Sequence, residues 1–281
     1  MTMTKRLSFL TCLGLLFIAS STFAQITVTN SASLSFGTAP LQQADYTLPG
    51  FDAGASNKLV VGFGVEAGYI PDFSVTFGGT PLTSIIASSD LTNPDTGAAN
   101  EFTALFFLDG AAGVGDIVVT TGSTTAPNGF GNGPGIYAAA LSGAAPGVET
   151  SGRFGHETAH FGDLTGTLTG VGNGSYVLAS FTDQGRNGDQ TVTGDLTQVS
   201  VYSGADGDQI GSAVSIAASG FGNGSDLTAT FNDLTGAAAG TGFQDRGNFS
   251  FASFAPVPEP SSTLLLMSGI VGIFAVTRRR R

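Results

Sequence analysis

Short apolar runs recur along the chain, each bounded by clusters of Gly, Asn, Asp and Pro. They cover residues 26–29, 58–65, 73–77, 102–108, 117–121, 136–141, 164–169, 176–181, 196–202, 213–217, 227–231 and 248–254. Most alternate, as Phe249 and Phe251 do against Ser250 and Ala252. A period of two places successive side chains on opposite faces of a strand, in and out. The flanking turn residues end each run. A dozen short strands at this spacing predict an all-β fold, an antiparallel β-sandwich or barrel.

Composition removes the helical alternative for the body. The chain has 42 glycines, and a glycine costs a helix about 1 kcal/mol. The 22 phenylalanines and the absence of tryptophan fit a core packed between two sheets. Asp-Leu-Thr occurs at 163–165, 195–197, 226–228 and 233–235, and Gly-Phe-Gly-Asn-Gly at 129–133 and 220–224. The spacing is irregular, so these are read as recurrent loop chemistry rather than a structural repeat.

Both ends differ from the body. Lys5 and Arg6 precede an apolar stretch at 7–19, and Thr22 and Ala24 sit at −3 and −1 of a cleavage before Gln25. Residues 1–24 therefore read as a secretory signal peptide, handled by the export translocon and signal peptidase. The only cysteine, Cys12, lies inside that peptide, with Thr11 and Phe9 where a lipoprotein box needs a small residue and Leu. The mature chain then has no disulfide, thiolate ligand or cysteine nucleophile. Without both targeting ends the body keeps 20 acids and four bases (Lys58, Arg153, Arg186, Arg246), a net charge of −16. Nucleic acid is excluded as a partner, because phosphate binding needs clustered Lys and Arg.

At the other end Val257-Pro258-Glu259-Pro260-Ser261-Ser262 leads into an apolar run at 264–276 and closes on Arg278-Arg279-Arg280-Arg281. Residues 261–277 would span about 26 Å as a helix, slightly short of the ~30 Å hydrocarbon core. The four arginines would stay cytoplasmic by the positive-inside rule. Pro256, Pro258 and Pro260 keep the segment before the run extended. A permanent anchor and a buried helix with a basic end are the alternatives, and four terminal arginines have no reason to fold inward.

This order of motif, apolar run and basic end resembles the PEP-CTERM sorting signal of Gram-negative bacteria that make exopolysaccharide. The resemblance implies an exosortase partner that reads Pro258, Glu259 and Pro260 and cuts near them. It also implies a transient inner-membrane anchor through residues 261–277, then release to the cell surface or exterior. The expected organisation is a signal peptide at 1–24, a secreted β-sandwich at 25–255 and the sorting signal with its transmembrane helix at 256–281.

The body carries a second resemblance. Asn57-Lys58-Leu59-Val60-Val61-Gly62 is followed by Ser74-Val75-Thr76-Phe77-Gly78-Gly79-Thr80-Pro81-Leu82-Thr83. Phe106-Phe107-Leu108, Gly115-Asp116-Ile117-Val118-Val119-Thr120 and Ala139-Ala140-Leu141-Ser142-Gly143 come next. This succession is similar to a jelly-roll-type module of large bacterial secreted proteins, although Phe106-Phe107-Leu108 departs from its aromatic pattern. That family carries no activity to transfer.

The candidate chemistry is thin. His156-Glu157-Thr158-Ala159-His160 holds the only two histidines in a His-Glu-x-x-His string, which on a helix can bind Zn²⁺. Gly152, Gly155, Gly162 and Gly166 surround it, and no third histidine exists. A strand or loop is the better reading, and a zinc hydrolase the remote one. Asp206-Gly207-Asp208 has part of a Ca²⁺ loop without its later ligands, so a plain turn is preferred and no cofactor is expected. Other acids sit in Gly, Asn and Thr turns, where Asp serves the backbone. Gly-Asn-Gly at 131–133, 172–174 and 222–224 reads as hairpin turns rather than phosphate cradles. The expectation is a non-enzymatic surface or matrix protein associated with exopolysaccharide. A carbohydrate-binding or adhesin module is the alternative, weakened by having only Tyr46, Tyr69, Tyr137, Tyr176 and Tyr202 as candidate sugar platforms.

Overall fold

The computed structural model describes residues 24–36, 45–66, 73–85, 101–120, 135–155, 163–184, 191–203, 213–232 and 246–258. Within them lie seventeen strands and no helix. The first nine are β1 (Thr27–Ser35), β2 (Asp45–Asp52), β3 (Lys58–Glu66), β4 (Ser74–Phe77), β5 (Thr80–Pro81), β6 (Thr83–Ser84), β7 (Glu101–Asp109), β8 (Val114–Thr120) and β9 (Gly135–Ser142). The rest are β10 (Thr150–Gly155), β11 (Leu164–Leu168), β12 (Asn173–Gln184), β13 (Thr191–Gly194), β14 (Thr197–Ser203), β15 (Ala213–Asn223), β16 (Leu227–Asn232) and β17 (Arg246–Phe254). Every apolar run of the sequence falls on a strand. β2, β5, β6, β10 and β13 lie outside those runs.

The strands form four antiparallel sheets, and the order in the second half repeats that of the first. One five-stranded sheet runs β1-β9-β3-β7-β6 and its counterpart β10-β17-β12-β15-β14. The smaller sheets run β2-β8-β4-β5 and β11-β16-β13. The register repeats as well. Thr47 and Leu48 face Val118 and Ile117 in the first half, and Thr167 and Leu168 face Thr228 and Leu227 in the second. The next glycine, Gly50 or Gly170, has positive φ in each half. Its amide donates to Asp116 Oδ1 at 2.8 Å or to Asp226 Oδ1 at 3.3 Å. The structure thus contains a duplication that the irregular spacing of Asp-Leu-Thr argued against.

The equivalent segments are Thr47-Leu48-Pro49-Gly50-Phe51 with Thr167-Leu168-Thr169-Gly170-Val171, and Val75-Thr76 through Leu82-Thr83 with Val192-Thr193-Gly194-Asp195-Leu196-Thr197. In the first of the latter pair Gly78 and Gly79 take positive φ between Phe77 and Thr80. Two consecutive positive φ values are what a two-residue I′ hairpin requires. Leu82 and Leu196 then carry the chain from the small sheet to the large one, each buried in the core of its half.

Three apolar layers follow. Tyr46, Leu48, Phe51, Leu59, Phe63, Phe77 and Ile117 fill the core of the first half. Leu168, Val177, Phe181, Leu227, Phe231 and Phe251 fill the second, where the Phe181 and Phe231 rings stack at 4.1 Å. A third layer joins the two large sheets, with Val60, Leu105, Tyr137 and Leu141 against Tyr176, Leu178, Ala252 and Phe254. The large sheets are therefore buried on both faces. The alternation of Phe251 with Ala252 runs between two cores rather than between core and solvent. Small residues make this fit: Ala138, Ala139 and Ala140 are fully buried in succession on β9. Two polar contacts cross the inner layer: Thr103 and Ser250 share a buried hydroxyl hydrogen bond at 2.9 Å, and the Ser180 hydroxyl donates to the Phe63 carbonyl at 3.1 Å.

The Gly-Asn-Gly segments at 172–174 and 222–224 are not hairpin turns. They start β12 and end β15, where Asn173 faces Asn223, and the chain there crosses between large and small sheets. A Cβ on Gly222 would lie 2.3 Å from the Gly172 carbonyl oxygen, so this close approach admits only glycine.

Candidate functional site

The two ends of the body meet. Ile26 is buried in the inner layer, which fixes the start of β1 beside the end of β9. From there the Ala24 amide donates to the Val257 carbonyl at 3.1 Å. The Val257 amide donates to the Gly143 carbonyl at 2.8 Å, and the Ala145 amide to the Ala255 carbonyl at 2.7 Å. Ala144 and Pro256 form the antiparallel bridge between these bonds. Gly143 has φ +79°, and a Cβ there would stand 3.0 Å from the Gln25 carbonyl oxygen. Both facts require glycine. The predicted signal-cleavage residues, Ala24 and Gln25, thus lie against the stretch that leads into Pro258.

The segment joining the halves, 143–149, is fastened from both sides. The Asn57 side-chain amide donates to the Ala144 carbonyl, and the Ala144 amide returns a bond to Asn57 Oδ1 at 3.3 Å. Lys58, fully buried, pairs with the Asp109 carboxylate and donates to the Gly147 carbonyl at 2.7 Å. Asp109 Oδ2 accepts from the Gly147 amide at 2.8 Å. The Lys58 ammonium lies 4.7 Å from the centre of the Phe107 ring and 5.2 Å from that of Phe254. Burial holds its pKa below the usual 10.5, and the hydrogen bond and charge of Asp109 oppose that shift. Glu149 fastens the far end: its Oε1 accepts from the Gly172 amide at 3.1 Å and its Oε2 from the Ser253 hydroxyl at 2.9 Å.

Other acids serve the backbone in the same way. Asp52 accepts from the Gly54 amide at 2.7 Å, and Asp195 Oδ2 from the Thr228 amide at 2.8 Å. With Asp116 and Asp226 they occupy the turn role that their Gly-rich settings predict. Among the described residues no group of three His, Cys, Asp or Glu gathers as a metal site. Tyr46, Tyr137 and Tyr176 are buried, so none is a surface sugar platform. Burial pushes the Tyr176 phenol well above its usual pKa, with the charge of Tyr137 adding to the effect.

Several sequence candidates lie outside the described residues: His156, Glu157, His160, Asp206, Asp208, Tyr69, Glu259, Pro260, Arg278, Arg279, Arg280, Arg281 and the apolar stretch 261–277. Among the described residues no helix is long and apolar enough to cross a membrane. Pro258 is described and exposed. Sequence reasoning missed the fastening role of Asn57 and Lys58. The one available signal was that Lys58 is the only lysine after Lys5, placed at the mouth of an apolar strand.

Residues 256–281 match the PEP-CTERM protein-sorting motif. That motif implies export and processing by an exosortase. No curated protein matches the sequence. Among solved structures, a GH2 β-galacturonidase from Eisenbergiella tayi is similar at 12% identity and a TM-score of 0.26, over 74% of this chain and 37% of the enzyme's chain. The extracellular domain of ANXUR1 from Arabidopsis thaliana is similar at 10% identity and a TM-score of 0.25, over 84% of this chain and 93% of that one. Likenesses this faint say nothing about chemistry.

Proposed function

We propose that the chain is a non-enzymatic surface or matrix protein, exported by its signal peptide and sorted by an exosortase, with its β body associated with exopolysaccharide. The observation that carries this reading is the sorting motif at 256–281, which starts two residues after β17 ends. The body supports it. Lys58, Asp109, Asp116, Glu149, Asp195 and Asp226 each fasten backbone or one another. The tail holds the protein in the inner membrane with Arg278 to Arg281 in the cytoplasm, and removal near Pro258-Glu259-Pro260 frees the body.

The experiment is fractionation of the exosortase-bearing host expressing Glu259→Ala. Full-length variant retained in the membrane, with wild type trimmed and released, supports the reading. A variant trimmed and released like wild type, or a wild type that keeps its arginines at the surface, rejects it in favour of a permanent anchor. A glycan array and metal analysis of the released body test the non-enzymatic part: stoichiometric zinc would replace it with a hydrolase, and specific sugar binding with an adhesin.

A further inference from the structure

The exosortase reading says that the tail is removed; the meeting of the two ends says where, and this step rests on that reading. A peptidase holds its substrate as an extended chain, largely through backbone N–H and C=O groups. On this body several of those groups are engaged as far as Val257, and those to Ala145 and Gly143 remain once Ala24 is gone. The Ala255 carbonyl accepts from Ala145, the Val257 amide donates to Gly143, and the Val257 carbonyl accepts from Ala24. Pro256 has no N–H to offer, is buried and bridges Ala144. The backbone at 143–145 cannot withdraw, because Asn57 brackets Ala144 and the Lys58–Asp109 pair holds Gly147. Pro258 is the first exposed residue past the last of these bonds.

We infer that the exosortase cuts on the carboxyl side of Val257 or later, and that residues 255–257 stay stitched to the body in the mature protein. The bond that breaks joins the carbonyl carbon of the last retained residue to the next nitrogen. With water as acceptor that carbon gains the hydroxyl, and the tail leaves as an amine carrying the proton. With an amine acceptor a new amide forms at the same carbon and the acceptor's proton goes to the departing tail. Either way the new C-terminus emerges beside Gln25, so both processed ends of the mature chain share one pole. Signal-peptide removal takes Ala24 away and frees the Val257 carbonyl, the last body group in front of the motif.

The test is mass spectrometry of the C-terminal peptides of full-length chain expressed in hosts with and without the exosortase. The expected termini in the exosortase host all lie at Val257 or beyond. A terminus at Phe254, Ala255 or Pro256 overturns this inference and leaves the sorting reading intact. Retention of Arg278 to Arg281 in both hosts overturns the sorting reading and this inference with it. A second chain carries four Gly and Ser residues inserted between Val257 and Pro258. Its cut is expected to move outward with the motif, leaving the insert on the product. A cut before Val257 in that chain, where the motif stands further out, would overturn the inference.

Discussion

Gly62 and Ser180 hold the same position in the two halves and face each other across the inner layer. A Cβ on Gly62 would lie 3.5 Å from the Cβ of Ser180 and 3.5 Å from Leu105 Cδ2. The two five-stranded sheets approach this closely because one of the facing residues has no side chain.

Gly62→Ala is expected to fold with little loss, since 3.5 Å is ordinary van der Waals contact. Gly62→Leu would force the inner sheets apart, at a cost of about 1–3 kcal/mol for overpacking. Thermal unfolding of the two variants beside wild type reads the difference. An unchanged midpoint for the leucine variant would mean that the halves do not pack as described.

Asp109→Ala leaves the buried Lys58 ammonium without its counter-charge and the Gly147 amide without its acceptor. Because Asp109 is 38% exposed, water softens the loss, and about 1–3 kcal/mol is expected. Lys58→Met removes the buried charge instead and leaves Asp109 in water with its Gly147 bond, so it should cost less. Urea unfolding of both variants gives the ranking, and the reverse ranking would show that the carboxylate rather than the lysine carries the strain.

The same lysine gives a pH signature. Its folded pKa lies below the usual 10.5, so between the two values the unfolded chain binds more protons. Stability should therefore rise with pH through the depressed pKa toward 10.5, and Lys58→Met should lack that rise. Tyr176 acts with the opposite sign. Its folded phenol keeps the proton above 10.0 while the unfolded one ionises, so stability should fall as pH climbs past 10.0. Tyr176→Phe should show a shallower alkaline fall. Tyrosinate absorbance followed alongside circular dichroism would test this, and ionisation of Tyr176 before unfolding would contradict it.

Asp116→Ala and Asp226→Ala break equivalent bonds in the two halves. Each should cost about 1 kcal/mol, the first more than the second because its bond to Gly50 is 2.8 Å against 3.3 Å to Gly170. Unfolding midpoints measure both. A large loss in one half and none in the other would break the equivalence.

The strands were legible wherever apolar residues kept period two. β2 was not, because its core residues Tyr46, Leu48 and Phe51 fall out of phase at a register shift between Leu48 and Phe51. β10 reads as Thr-Ser-Gly-Arg-Phe-Gly, where two glycines hide the pattern, and β13 has only four residues. The duplication was invisible for a related reason: Thr47-Leu48-Pro49-Gly50 and Thr167-Leu168-Thr169-Gly170 keep only Thr, Leu and Gly in common. Those are the residues the register, the core and the positive φ require. Alternation could not say that the far side of β9 and β17 is also buried, since Ala and Ser suit either environment. At the site, the sorting motif was legible in full because it is local. The contact of Ala24 with Val257 joins residues from opposite ends of the chain, and no local pattern encodes it.

The position of β17 has a consequence for the order in which the protein assembles. It lies between β10 and β12, and its last residue, Phe254, belongs to the layer joining the halves. A chain exported from its N-terminus can close the first half soon after β9 has crossed, since β9 ends at Ser142. The second half lacks an interior strand until residue 254 emerges, directly ahead of the sorting segment. The sorting segment therefore arrives with the strand that completes the fold. The sorting motif follows directly behind the residues that finish folding.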